Sequence, residues 1–113
     1  MSPKTKKILM WVCVALLGIE FALSAVGKLT GMVAENFTRW GYSITFMYII
    51  GVLEALGAVG LFIPSLRKWA AFGLIGIMIG AAYTHLTHDE VSMIWANVLV
   101  MAFCGAVVWL SQD

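Results

Sequence analysis

The sequence is poor in charge. Only 12% of its 113 residues are Asp, Glu, Lys or Arg, against 62% hydrophobic. A soluble domain this short exposes most of its surface and needs more charge than that to stay dissolved. Cysteine is equally scarce. Cys13 and Cys104 both fall in apolar runs, with no CxxC or metal-ligand spacing, so they read as small core residues. No basic run with interleaved aromatics is present, and the net charge is only +1; nothing argues for nucleic acid. There is no low-complexity stretch and no internal repeat. The length allows one domain and no soluble appendage.

What is present is apolar sequence in four blocks, with a mean hydropathy of +0.95. They run over about 8–28, 45–63, 68–86 and 91–110. Each is near the ~20 residues that cross ~30 Å of hydrocarbon as a helix. In lipid the backbone must satisfy its own hydrogen bonds, so unclosed spans are helices. The expected fold is all-α: one domain over residues 1–113, an integral membrane bundle of four transmembrane helices. The start, Lys4, Lys6 and Lys7 before an apolar run with Ala22-Leu23-Ser24 further on, resembles a secretory signal. That run is long enough to span, and is read as a retained first helix.

The connectors fit this plan. Gly31 to Ser43 reads as a longer loop, and Pro64-Ser65 and Thr87 to Glu90 as tight turns. Short turns make the last three spans antiparallel neighbours. Lys4, Lys6, Lys7, Arg67 and Lys68 fall on one side, Lys28 and Arg39 on the other. This asymmetry predicts both termini in the cytoplasm and a multi-pass inner-membrane location. Trp11, Trp69 and Trp109 then mark the inner interface, Trp40 and Trp95 the outer one. Gly51, Gly57 and Gly60 on the second span, and Gly73, Gly76 and Gly80 on the third, predict close helix packing. The same faces could carry a homo-oligomer.

Charges inside a span are expensive, so they are functional candidates. Glu20 and Glu54 both fall near mid-membrane, roughly 15 Å deep at 1.5 Å per residue. Glu54 has no obvious cation at its own depth, which would favour the neutral acid. Glu20, Ser24 and Lys28 share a helix face at i, i+4, i+8. Lys28 either snorkels outward or turns inward as a counter-ion. Tyr83, His85 and Asn97 fall in the same outer half. The ligand-binding candidates are therefore Glu20, Lys28, Glu54, Tyr83, His85 and Asn97. His85 and His88, spaced i, i+3, are a weak metal signal, and otherwise read as hydrated interfacial histidines. Phe21, Trp40, Tyr42 and Phe46 are the expected walls of a pocket between the first three spans.

Gly51 to Glu90, GVLEALGAVGLFIPSLRKWAAFGLIGIMIGAAYTHLTHDE, closely resembles the DoxX-like family of small four-helix membrane proteins. FALSAVGKLTG, Phe21 to Gly31, and WGYS, Trp40 to Ser43, resemble its first-helix end and following loop. The resemblance implies a four-helix bundle with the Glu54 carboxylate inside. The family includes subunits associated with thiosulfate and quinone oxidation, accessory proteins for oxidative maturation of partners, and relatives of a receptor-assembly chaperone. This chain departs from direct thiol-disulfide chemistry, because it lacks paired redox cysteines.

The leading expectation is a quinone-linked or small-molecule-binding redox accessory subunit. Glu54, Lys28, Tyr83 and His85 would form a polar pocket for a lipid-soluble ring. No redox centre is encoded by the protein itself, so a bound quinone and a membrane redox partner are the implied cofactor and partner, beside the lipid bilayer. One alternative is a non-catalytic assembly protein that offers its glycine faces to partner helices. Another is a small multidrug-type proton-coupled transporter, which the four spans and the Glu20–Lys28 spacing also resemble. The strong Lys/Arg bias and the second-half motifs oppose it.

Overall fold

The computed structural model describes residues 1–112. It consists of α1 (Pro3–Leu29), a short α2 (Ala34–Arg39), α3 (Ile44–Leu61), α4 (Arg67–Thr87), a 3-10 turn (Val91–Met93) and α5 (Ile94–Leu110). No strand occurs among the described residues. Four helical stretches, α1, α3, α4 and Val91–Leu110, are long and apolar enough to cross a membrane. The protein is a multi-pass membrane protein.

Helix α1 starts five residues before the apolar run. Ser2 caps it by accepting the Thr5 N–H at 3.1 Å, with Pro3 in the first turn. Its 27 residues extend about 40 Å, more than the ~30 Å of hydrocarbon. The surplus is about two turns, and Lys4, Lys6 and Lys7 stand in the first turns of the helix. The loop expected over 31–43 contains α2. Gly31 and Gly41 frame that helix with φ of 81° and 88°, values that glycine adopts without a Cβ clash. Gly41 closes α2 with paired bonds, its own N–H to Thr38 and the Tyr42 N–H to Phe37.

The spans form a ring: α1 packs on α3, α3 on α4, α4 on α5, and α5 back on α1. Both termini lie at one end, here the terminal end; α2 lies at the other, the loop end. The two ends are packed differently. The core cluster occupies the terminal end, with Met10, Cys13, Val14, Leu17 and Phe21 of α1 against Ala58, Leu61, Ala71, Leu74, Cys104, Val107 and Leu110. Cys13 and Cys104 are buried free thiols in it.

The α3 glycines make the close approaches. A Cβ on Gly57 would lie 2.7 Å from Leu74 Cδ2, and one on Gly60 3.0 Å from Ala70 Cβ. The α4 glycines do not. A Cβ on Gly73, Gly76 or Gly80 would meet nothing within 4 Å. The GxxxG of α4 faces a gap, which corrects the packing role expected for it.

Candidate functional site

That gap belongs to a cavity of about 680 Å³ in the loop-end half. All four spans and α2 line it, so the fourth span contributes too, through Ala96, Asn97 and Val100. The pocket was expected to open between the first three spans, with Asn97 of the fourth among the candidate residues.

Its polar centre is a three-residue cluster. Glu54 is fully buried. Lys28 Nζ lies 2.8 Å from Glu54 Oε1 and donates to Ser24 Oγ at 2.7 Å. Ser24 Oγ sits 3.1 Å from both Glu54 oxygens. Local sequence explains the arrangement. Ser24 and Lys28 are one turn apart on α1. Gly51, one turn from Glu54, lets α3 close on α1: a Cβ there would stand 3.0 Å from Lys28 Cβ. The mid-membrane acid thus has a cation beside it: of the two orientations open to Lys28, the inward one is taken. Lys28 turns inward because snorkelling would leave Glu54 without a counter-charge.

An aromatic roof covers the cluster. Phe37 of α2 is buried, with Trp40, Tyr42 and Phe46 rings 5.3, 6.0 and 6.4 Å from it. Lys28 Nζ lies 5.9 Å from the Phe37 centroid, within cation–π range. Tyr42 and Thr84 share a hydroxyl hydrogen bond of 2.7 Å.

Glu90 fastens the roof to α4. Helix α4 ends in a reversal: Asp89 takes φ 57°, and the Glu90 N–H bonds back to the His85 carbonyl at 2.8 Å. The Glu90 carboxylate thereby faces His85 Nδ1 at 2.9 Å and accepts from Trp40 Nε1 at 3.0 Å and Arg39 at 2.8 Å. The His85 hydrogen bond first, then Trp40 and the Arg39 charge, hold Glu90 below its usual carboxylate value against some desolvation.

The structure divides the expected site residues. Lys28 and Glu54 are joined directly, and Glu20, His85 and Asn97 line the same cavity. Glu20 makes no hydrogen bond or ion pair with any described residue and is exposed. Asn97 is buried; its Nδ2 reaches Met78 Sδ at 3.6 Å, and its Oδ1 has no hydrogen-bond partner among the described residues. Tyr83 is displaced: at 64% exposure it faces away from the bundle, outside the cavity. Phe21 belongs to the solid core and is no cavity wall. His85 is buried and paired rather than hydrated, whereas His88 is exposed and closes the end of α4 on the Thr84 carbonyl. No group of three or more His, Cys, Asp or Glu that could hold a metal occurs among the described residues.

The residues missed from sequence were Ser24, Phe37, Thr84, Arg39 and Glu90. Ser24 was visible on the Glu20–Lys28 face. Glu90 had only the signal of an acid just past a helix end.

These features define a class: a small four-span bundle, solid at one end and hollow at the other, with a buried lysine–glutamate pair in the hollow half. The chain matches the model of the DoxX-like family over residues 12–107 and belongs to that family. No curated protein and no solved structure matches it.

Proposed function

We propose that the protein binds a lipid-soluble, ring-shaped small molecule of quinone type in the loop-end cavity. It would serve as an accessory subunit to a membrane redox partner, in an inner membrane with both termini cytoplasmic. The observation that carries this reading is an apolar cavity of about 680 Å³ with the Lys28–Ser24–Glu54 cluster on its wall. That volume falls in the range of small-molecule sites, which pair apolar walls with a few fixed polar groups. Trp40, Tyr42 and Phe46 offer faces to a planar ring. Lys28, whose ammonium has one proton beyond those directed at Glu54 and Ser24, offers a donor for a carbonyl. Asn97 Oδ1, buried without a partner, offers an acceptor for a hydroxyl or ring N–H. The donor suits a carbonyl of the quinone and the acceptor a hydroxyl of its quinol, so each form finds one polar partner. The α4 glycines, on which the assembly-protein alternative drew, line this cavity.

The test is equilibrium binding of decylubiquinone to the purified protein in mild detergent, with lipid extracts of the same preparation analysed by mass spectrometry. Saturable binding that Gly80→Leu weakens at least about tenfold is expected, because the added side chain fills the cavity. Binding that only follows partition into detergent, or that Gly80→Leu leaves unchanged, would overturn the reading.

A further inference from the structure

A second cavity, of about 420 Å³, lies at the opposite, terminal end. Lys6, Lys7, Met10, Trp11, Arg67 and Leu110 are among the residues that line it. Three of these are cationic, and no acid among the described residues lines it.

Arg67 is the unusual member. It is 9% exposed. Its Nε donates to the Leu61 carbonyl at 2.7 Å, and its guanidinium carbon lies 5.1 Å from the Trp11 ring. Among the described residues, buried Nη2 has no hydrogen-bond partner and Arg67 forms no ion pair. A guanidinium keeps its charge, and a buried charge without a counter-charge is costly.

The backbone adds to the field. The first turns of α1 and α4 both lie here, at Pro3 and Arg67, and neither carries an acid. Helix α4 has no side-chain cap. Both helix dipoles therefore present their positive ends to the pocket. Met10, Trp11 and Leu110 make its other walls apolar, at the depth where a span meets the headgroup layer.

We propose that this pocket holds the phosphate of an anionic phospholipid headgroup, with Arg67 and the two lysines around the phosphate and the acyl chains along the apolar wall. A free phosphate ion would use the same cations and leave the apolar wall unused. The site is separate from the loop-end cavity and does not depend on the function proposed for that cavity.

Native mass spectrometry of the full chain in detergent tests this, with dioleoylphosphatidylglycerol, dioleoylphosphatidylcholine and sodium phosphate as probes. Trp11 emission is followed in parallel, in a protein whose other four tryptophans are phenylalanine. One phosphatidylglycerol should be retained at least about tenfold better than phosphatidylcholine, and a Lys6→Gln/Lys7→Gln variant should lose that preference. Lys6 and Lys7 stand in the first turns of α1, outside the core, so this variant keeps the fold where Arg67→Gln need not. Phosphatidylglycerol should also shift Trp11 emission where millimolar phosphate does not. Equal retention of the two lipids overturns the proposal, as does an unchanged preference in the double variant. A Trp11 response to phosphate that phosphatidylglycerol fails to reproduce overturns the lipid as the source.

Discussion

Glu54 is tolerated in a membrane span because Lys28 lies 2.8 Å away and Ser24 bridges both. Removing one partner of a buried pair leaves the other uncompensated, which costs about 3–5 kcal/mol. Lys28→Met should therefore destabilise by roughly that much, and Lys28→Met/Glu54→Gln by clearly less than the sum of the single changes. Unfolding in mixed micelles of dodecyl maltoside and dodecyl sulfate measures all three; additivity would separate the two residues energetically. Glu90 gives a second prediction, of pH dependence. Its carboxyl is held below the ordinary 4.5, chiefly by His85. The stability it contributes is then complete above 4.5 and is lost as pH falls through the lower folded value. In a protein retaining only Trp40 among its tryptophans, emission should move to the red across that acid range, and Glu90→Gln should abolish the transition. The Glu90–His85 pairing was not legible in the sequence, whereas Lys28 as an inward counter-ion was one of two readings it left open. Lys28 had two physically sound choices, outward or inward, and Gly51 decides between them only through the distance at which α3 approaches α1.

Two helices carry three glycines each and use them in opposite ways. On α3 the missing Cβ atoms admit Leu74 and Ala70; on α4 they border open space. Spacing alone cannot tell these apart, since the difference lies in what stands across the interface. Substitution separates them. Gly57→Val should lose about 1–3 kcal/mol by overpacking against Leu74, which is 1% exposed and has little room to shift. Gly80→Val should leave the unfolding midpoint close to wild type while narrowing the cavity. Comparable losses at both positions would mean that the α4 face is packed. Helix α2 was the element missed outright. Six residues are too few to show a helical period, and its traces were the glycines on either side.

For the whole chain, four spans were legible because each is a run of about twenty apolar residues, and lipid leaves them helical. Their ends shifted by a few residues where caps ruled: Ser2 moved the start of α1, and the Asp89 reversal ended α4. The clustering of Glu54, Lys28, His85 and Asn97 in one half was legible as well. The exclusion of Tyr83 was not, because rotation about a helix axis is set by neighbours. The orientation of the bundle is a prediction at this scale. Five Lys or Arg at the terminal end against two at the other, Lys28 and Arg39, should keep both termini cytoplasmic. Reporter fusions at each terminus and between Glu35 and Trp40 check it; a periplasmic signal from either terminus would reverse the assignment.

A bundle with a packed core in its terminal half and its larger cavity in the loop-end half has an uneven response to compression. Hydrostatic pressure favours whichever state has the smaller volume, and internal voids set most of that difference. The loop-end half should therefore yield first, by collapse or by taking up solvent, while the core around Val14, Leu74 and Val107 holds its volume. High-pressure NMR would register this as early, curved shifts of the Trp40 indole against near-linear ones for the methyl groups of Val14 and Val107. A molecule seated in the cavity would make the two halves equally stiff.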